Sequence, residues 1–266
     1  MFTPFATQNQ FDPDAGAFIN ATGIGGIQAE AINNLVQQLK AGGVWERLIA
    51  LYPFVGGNAQ SCKFNLINPQ DTNAAYRLTF AGTWTFDANG ATPNGAAGTY
   101  AETYVNPSTS PFAATSGHFS YYCPQNYAAG DRVDIGSGDY TGGGESTIAT
   151  RWSDGTGYLL WYNSSAANGA YTIPTNTSTL GYYMVNRLGS GTQGWRNGVK
   201  LGTGVSGTTN ANRTFFLAAE NNGTTNYRNS PRKHIIDTIG LGLTDAQGAN
   251  LGNSVLNFVR TLNKTA

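Results

Sequence analysis

The spacing of apolar residues along this chain changes character near Pro53, from helical to strand-like. Upstream, Asp12-Pro13 is an N-cap followed by proline at the first helical position. Phe18 and Ile19 lie in the helix it opens, and Gly23 is its stop. Ile27, Ala31, Ile32, Leu35, Val36 and Leu39 form a second helical stripe, closed by Lys40 and Gly42-Gly43. Val44, Trp45, Leu48, Ile49 and Tyr52 predict a third short helix, stopped by Pro53. Helices of this length are marginal in water alone, so the pattern requires a surface for them to pack on.

After Gly56-Gly57 the pattern becomes that of many short strands. They are expected around residues 63–66, 77–80, 100–105, 118–123, 132–135, 147–152 and 158–162. Turn pairs Asn89-Gly90, Asn94-Gly95, Asp154-Gly155 and Asn168-Gly169 separate them. Asn197-Gly198, between Trp195-Arg196 and Val199-Lys200, predicts a type I′ hairpin, and residues 214–218 and 235–239 add two more strands. Thr244 and Gln247 then form a capping box ahead of Leu251, Val255, Phe258, Val259 and Leu262, which predicts a terminal amphipathic helix. Strands without intervening helices indicate a mainly β antiparallel sandwich or jelly roll. The expected organisation is an N-terminal helical docking segment, 1–56, and a jelly-roll domain, 57–266.

Composition narrows the function. Only Tyr52 of the 14 tyrosines precedes Pro53, and the segment before it is built from helix formers instead. Charged residues make up 11% of the 266 residues, under half the usual share of about 25%, so Asn, Thr, Ser, Gly and Gln must supply the surface. With 15 Lys+Arg against 15 Asp+Glu there is no counterion-release drive toward nucleic acid. The first five residues lack the basic and apolar regions of a secretory leader, and no apolar run is long enough for a membrane span. Cys62 and Cys123 are read either as a disulfide or as two buried small hydrophobes.

The ordered set Gly181-Tyr182-Tyr183, Trp195-Arg196-Asn197-Gly198-Val199, Asn221-Asn222-Gly223 and Ile239-Gly240-Leu241-Gly242-Leu243-Thr244-Asp245-Ala246 resembles concanavalin A-like (laminin-G-like) jelly rolls of bacteriophage virion proteins. Gly43-Val44-Trp45, Tyr52 through Gly57, and Lys63-Phe64-Asn65-Leu66 look like the leader before that domain, so the resemblance covers nearly the whole chain. It implies a non-enzymatic virion structural protein, located in the phage particle. Its N-terminal helices would contact other virion proteins, its β domain would face outward, and it would act as a homo-oligomer. Contact with host surface polysaccharide goes with the lectin-like fold. A carbohydrate-binding adhesin or a polysaccharide hydrolase are the alternatives, since this superfold hosts all three.

Candidate chemistry was sought against that background. Hydrolases of this superfold commonly carry Glu-x-Asp-x-x-Glu, and no Glu here has Asp two residues on, which leaves Glu102 or Glu145 with a distant Asp as the atypical route. Gly202-Thr203-Gly204-Val205-Ser206-Gly207 imitates a dinucleotide fingerprint without the strand-to-helix setting. His118 reads as a strand histidine and His234 as a charged-edge residue beside Arg232-Lys233. Cys62, Cys123, His118 and His234 lack zinc-ligand spacing, and no cofactor is expected. Asp131, Asp134 and Asp139 offer hard oxygens for Ca²⁺, with turn capping as the alternative. An aromatic ring with neighbouring polar groups suits a sugar. Trp152 with Asp154, Trp161 with Asn163, and Trp195 with Arg196 fit that description, as does the loop bearing Asn226, Tyr227 and Arg228. The glycan-binding candidates are therefore Trp152, Asp154, Trp161, Asn226, Tyr227 and Arg228.

Overall fold

A computed structural model describes residues 11–109, 111–113, 115–139, 144–163, 170–204, 207, 211–223 and 226–263. The N-terminal elements are α1 (Pro13–Thr22), α2 (Gly26–Ala41), β1 (Leu48–Pro53) and α3 (Ala59–Cys62). There follow β2 (Thr79–Ala81), β3 (Trp84–Asp87), β4 (Gly90–Pro93), β5 (Tyr100–Glu102), β6 (Ser116–Cys123), β7 (Ile135–Asp139), β8 (Gly144–Ala149), β9 (Gly157–Asn163) and β10 (Ala170–Ile173). The last third holds β11 (Gly181–Leu188), β12 (Thr192–Arg196), β13 (Val199–Gly204), β14 (Phe216–Leu217), β15 (Glu220–Asn221), β16 (Asn226–Tyr227), β17 (Ile236–Gly240) and α4 (Asp245–Thr261). The fold is an antiparallel jelly-roll sandwich with short N-terminal helices and a C-terminal amphipathic helix.

One sheet runs β1-β17-β6-β11-β12-β13 and a second β10-β9-β8-β7-β14-β5-β2, with β15 joined to β7 in parallel and β16 to β15; β3 and β4 form a separate hairpin. Side chains alternate across the first sheet. Phe119, Tyr121, Tyr183, Val185 and Ile239 point into the sandwich core, where they meet Ile135, Ile148, Leu159 and Leu217 of the second sheet. Tyr122, Tyr182, Met184 and Trp195 point the other way, onto α1, α2 and α4. The central strands of the six-stranded sheet are thus buried on both faces, which accounts for the burial running along β6 and β11. Among the described residues α1, α2 and α4 pack on the first sheet, in one cluster with Tyr122, Tyr182, Met184 and Trp195.

Local signals form the terminal elements as expected. Asp12 Oδ1 accepts from the Asp14 amide at 3.0 Å, and Gly23 ends α1 in the left-handed region with φ 69°. Lys40 in the last turn of α2 pairs with Asp12 at 2.7 Å and Asp14 at 2.6 Å, tying the two helices together. The Gln247 amide donates to Thr244 Oγ1 while Gln247 Oε1 accepts from the Thr244 amide, completing the capping box of α4. Asn197 and Gly198 hold φ of 51° and 77° between β12 and β13, as a type I′ turn requires.

Three expectations are corrected. The third helix is instead a single 3₁₀ turn, Trp45–Arg47, followed by strand β1, which pairs with β17. A bulge between Leu48 and Ala50 puts Leu48 and Leu51 on the helix side of the sheet and Ala50 and Tyr52 on the core side. The extra residue gives a strand the i, i+3 spacing of a helix. The chain therefore joins the six-stranded sheet before residue 57. Residues 63–66 form no strand; Asn65 is buried, accepting from the Leu51 amide at 2.9 Å and donating to Ile49 and Ala75 carbonyls at 3.1 Å. His234 is no edge residue: it is fully buried against Phe54, Trp84 and Tyr121, with Nδ1 2.7 Å from Asp237 Oδ2. Bridging to Ala91 of the β3–β4 hairpin covers it, a long-range contact with no local sequence mark.

Cys62 and Cys123 are buried and unbonded to each other, and burial pushes the Cys123 thiol up to about 11. The Asn168-Gly169 turn lies outside the described residues.

Candidate functional site

The open face of the second sheet is shaped by strand parity. Along β8, Ser146 and Ile148 turn inward, and Glu145, Thr147 and Ala149 turn outward; along β9, Leu159 and Trp161 turn inward, and Tyr158 and Leu160 outward. The outward residues of the two paired strands floor a cleft of about 200 Å³, with Val133 at one side. Thr147, Ala149 and Leu160 are nearly inaccessible although they face away from the core, because taller side chains wall them in.

Trp152 and Tyr158 make the first wall, their rings 5.8 Å apart and edge to face at 87°. Trp152 begins the tight turn that joins β8 to β9: the Gly155 amide donates to the Trp152 carbonyl, and Gly155 has φ 83°. Asp154 caps that turn by accepting from the Thr156 amide at 2.7 Å, which holds its carboxyl below the usual range, and its second oxygen accepts from Tyr158 Oη at 3.3 Å. Asp154 thereby fixes Tyr158 at the rim.

Arg228 lines the cleft beside Trp152. Its guanidinium carbon lies 4.8 Å from the Trp152 ring and 4.9 Å from the Tyr227 ring, so it is flanked by two aromatic faces. Nη1 donates to Glu145 Oε1 and to Glu220 Oε2, each at 3.2 Å. Arg228 holds φ 56°, a left-handed conformation uncommon for a non-glycine residue, and its carbonyl accepts from the Val133 amide at 2.8 Å. The loop is thus anchored to the cleft floor with the arginine turned over it.

Glu220 lies across β7 beneath this arrangement, wholly buried. A Cβ on Gly138 would come within 2.1 Å of Glu220 Oε1, and one on Gly136 within 3.1 Å of its Cβ. Alternate glycines on β7 leave the bare strip that Glu220 occupies. Glu145 is mostly buried; desolvation raises its pKa above the ordinary carboxylate range, against the opposing pull of Arg228 and the Thr147 hydroxyl. The site therefore brings aromatic rings and a carboxylate acceptor into one small cleft.

Of the sequence-selected residues, Trp152 and Arg228 line the cleft, Tyr227 stacks on Arg228, and Asp154 braces Tyr158. Trp161 does not join them. It is fully buried in the sandwich core against Phe119 at 5.5 Å and Phe215 at 6.5 Å, because it stands three residues from Tyr158 on one strand and so faces the other way. Asn226 pairs with Asn221 through the β15–β16 ladder, and its side chain lies outside the described residues. Trp195 is buried under Gly248 of α4, and Arg196 is spent on the Ser178 and Leu180 carbonyls. Tyr158, Thr147 and Glu220 were not singled out from sequence. Tyr158 and Thr147 were recoverable from strand parity, Glu220 only from the contact across β7.

Asp134 is buried and held by Arg232, Ser230 and Thr150 at 2.8 to 3.2 Å, so it is committed to the interior rather than to a cation. Asp131 accepts from Ser153 Oγ. Among the described residues no group of three or more His, Cys, Asp or Glu side chains is placed to hold a metal. Among them, too, no helix is long and apolar enough to cross a membrane.

No family model and no curated protein matches the sequence. Among solved structures, the chain is similar to domain 4 of AbnA, a GH43 extracellular arabinanase from Geobacillus stearothermophilus, solved in complex with arabinotriose. Identity is 18% over 78% of this chain and 98% of that one, with a TM-score of 0.48. The CBM40 of a Ruminococcus gnavus IT-sialidase is 11% identical over 63% of this chain and 94% of that one, at a TM-score of 0.40. The binding domain of botulinum neurotoxin serotype D is 6% identical over 76% of this chain and half of that one, at 0.46. None of these three scores reaches 0.5, and the assignment of the sandwich rests on sheet order and register.

Proposed function

We propose that the protein is a non-catalytic glycan-binding sandwich whose cleft on the outer face of the second sheet receives a sugar ring. The observation that carries this reading is the convergence of Trp152 and Tyr158 with Glu145 and Arg228 around one cleft of about 200 Å³. That is below the ~300–1,000 Å³ of sites for drug-sized ligands, and suits one ring of a saccharide. An indole face stacks on the apolar face of a pyranose or furanose while carboxylate and hydroxyl groups take its hydroxyls.

Burial of Glu220 supports the non-catalytic part. A retaining hydrolase needs a second carboxylate about 5 to 5.5 Å from the first and in contact with the sugar. Glu220 is the carboxylate that shares Arg228 with Glu145, and it lies wholly beneath the surface on β7. Titration of the full chain against a glycan array, with Trp152→Ala as the control, tests the proposal: retained binding by the variant at wild-type strength would sink it.

The resemblance of the leader and the C-terminal third to phage virion proteins supports a structural place in a virion as the setting for this binding. The apolar faces of α1 and α2 are used inside the molecule, so contact with other virion proteins would fall to their outward polar faces and to Ile27, which is 55% exposed. Mass spectrometry of purified particles tests that placement, and a particle lacking the chain would rule it out.

A further inference from the structure

The charges that meet at the cleft are unequal. Among the described residues, Glu145 and the buried Glu220 share one cation, Arg228, and Asp154 adds a further carboxylate beside Tyr158. That cation is already engaged: Nη1 is shared by both glutamates, and its guanidinium carbon lies 4.8 Å from the Trp152 ring and 4.9 Å from the Tyr227 ring. The other arginines nearby are turned elsewhere. Arg151 Nη1 donates to the Tyr127 carbonyl, Arg132 Nη1 to the Asn229 carbonyl, and Arg232 to buried Asp134. An anionic ligand entering the cleft would thus find no cation at liberty and would approach carboxylates.

The ligand-facing groups point the same way. Glu145 Oε1 takes the hydrogen bonds from Arg228 and Thr147, while Oε2 has no protein partner among the described residues and belongs to a residue that lines the cleft. A carboxylate oxygen is an acceptor only, and it matches a donor such as a sugar hydroxyl. Placing a ligand carboxylate there would set two like charges together in a partly desolvated site, where their repulsion is poorly screened. Protonating Glu145 would leave Glu220 and Arg228 balanced, so the cleft gains no net positive charge in either state.

We infer that the cleft selects uncharged saccharides and rejects those bearing carboxylates. This rests on the glycan-binding reading above and names the substrate class of the same site. The discriminating probe is a set of matched neutral and acidic oligosaccharides differing only at C6, gluco- against glucurono-oligomers and galacto- against galacturono-oligomers, titrated into the full chain by calorimetry at low salt. The neutral member of any pair that binds is expected to bind at least about tenfold more tightly than its acid. Asp154→Asn, at an exposed rim position, is expected to narrow that ratio, and Glu145→Gln, which retains an oxygen acceptor for Arg228, to narrow it further. An acid that binds as tightly as its neutral partner, with both lost in Trp152→Ala, would overturn the selectivity and leave the glycan site standing. Binding of neither member of any pair, or binding indifferent to Trp152→Ala, would overturn the glycan site and the selectivity together.

Discussion

Arg228 lies with its guanidinium carbon 4.8 Å from the Trp152 ring, so a cation and an aromatic side chain that both line the cleft are in contact. Trp152 comes from the turn after β8 and Arg228 from the loop after β16. Neither loop is rigid through its own backbone ladder alone. The contact joins two loops across an open sheet face, and polar loops on a fixed sheet are where recognition concentrates.

Trp152 and Trp161 should behave as opposites. Trp152→Ala removes a cleft wall and is expected to lower glycan affinity at least tenfold with little change in melting temperature. Trp161→Ala empties part of the sandwich core and should cost about 3–5 kcal/mol of stability. Paired melting curves and titrations of the two variants separate these outcomes.

Arg228 has a structural debt to Glu220. Arg228→Ala leaves a wholly buried carboxylate without its cation, a change that costs about 3–5 kcal/mol where buried pairs are broken. The double variant Arg228→Ala, Glu220→Gln should recover much of that loss in urea unfolding, because the uncompensated charge is gone. Failure of the double variant to recover any stability would show that Glu220 is not the group Arg228 neutralises.

His118 sets an acid limit on the fold. It is fully buried in β6 with Nδ1 2.6 Å from the Leu241 carbonyl, and desolvation lowers its pKa from 6.5 to about 4. The native state therefore binds the proton less readily than the unfolded chain. Its contribution is complete above pH 6.5 and declines as the pH falls from there to about 4, by up to about 3 kcal/mol. Burial raises Asp237, which acts in the opposite sense, so the difference between wild type and His118→Gln isolates the histidine. That difference in unfolding free energy should shrink as the pH falls through this window; a constant difference would contradict the assignment.

The capping box of α4 should be worth an ordinary cap. Thr244→Ala is expected to cost about 1 kcal/mol, visible as a lower midpoint in thermal unfolding with no effect on glycan titration.

What could be read from sequence was local. The Thr244–Gln247 box, the Asp12-Pro13 start and the Asn197-Gly198 turn each depend on neighbours within four residues, and each forms as expected. The spacing of Leu48, Ile49 and Tyr52 imitates a helix, whereas β1 pairs with β17 and its bulge sends Leu48 to the helix side and Tyr52 to the core side. At the site, Trp152 and Arg228 were reachable by residue type and loop position. Trp161 stands three residues from Tyr158 on β9 and so turns into the core, which residue type alone does not reveal. The burial of His234 under the β3–β4 hairpin and of Glu220 over Gly136 and Gly138 comes from contacts between distant segments, which no short window of sequence contains.

The most direct measurement is a crystal structure of the full chain with a neutral oligosaccharide that binds it on an array. The sugar ring is expected against the Trp152 indole, with a hydroxyl donating to Glu145 Oε2. Density for the sugar on any other surface, with the cleft lined by Trp152, Tyr158 and Glu145 empty, would contradict the account.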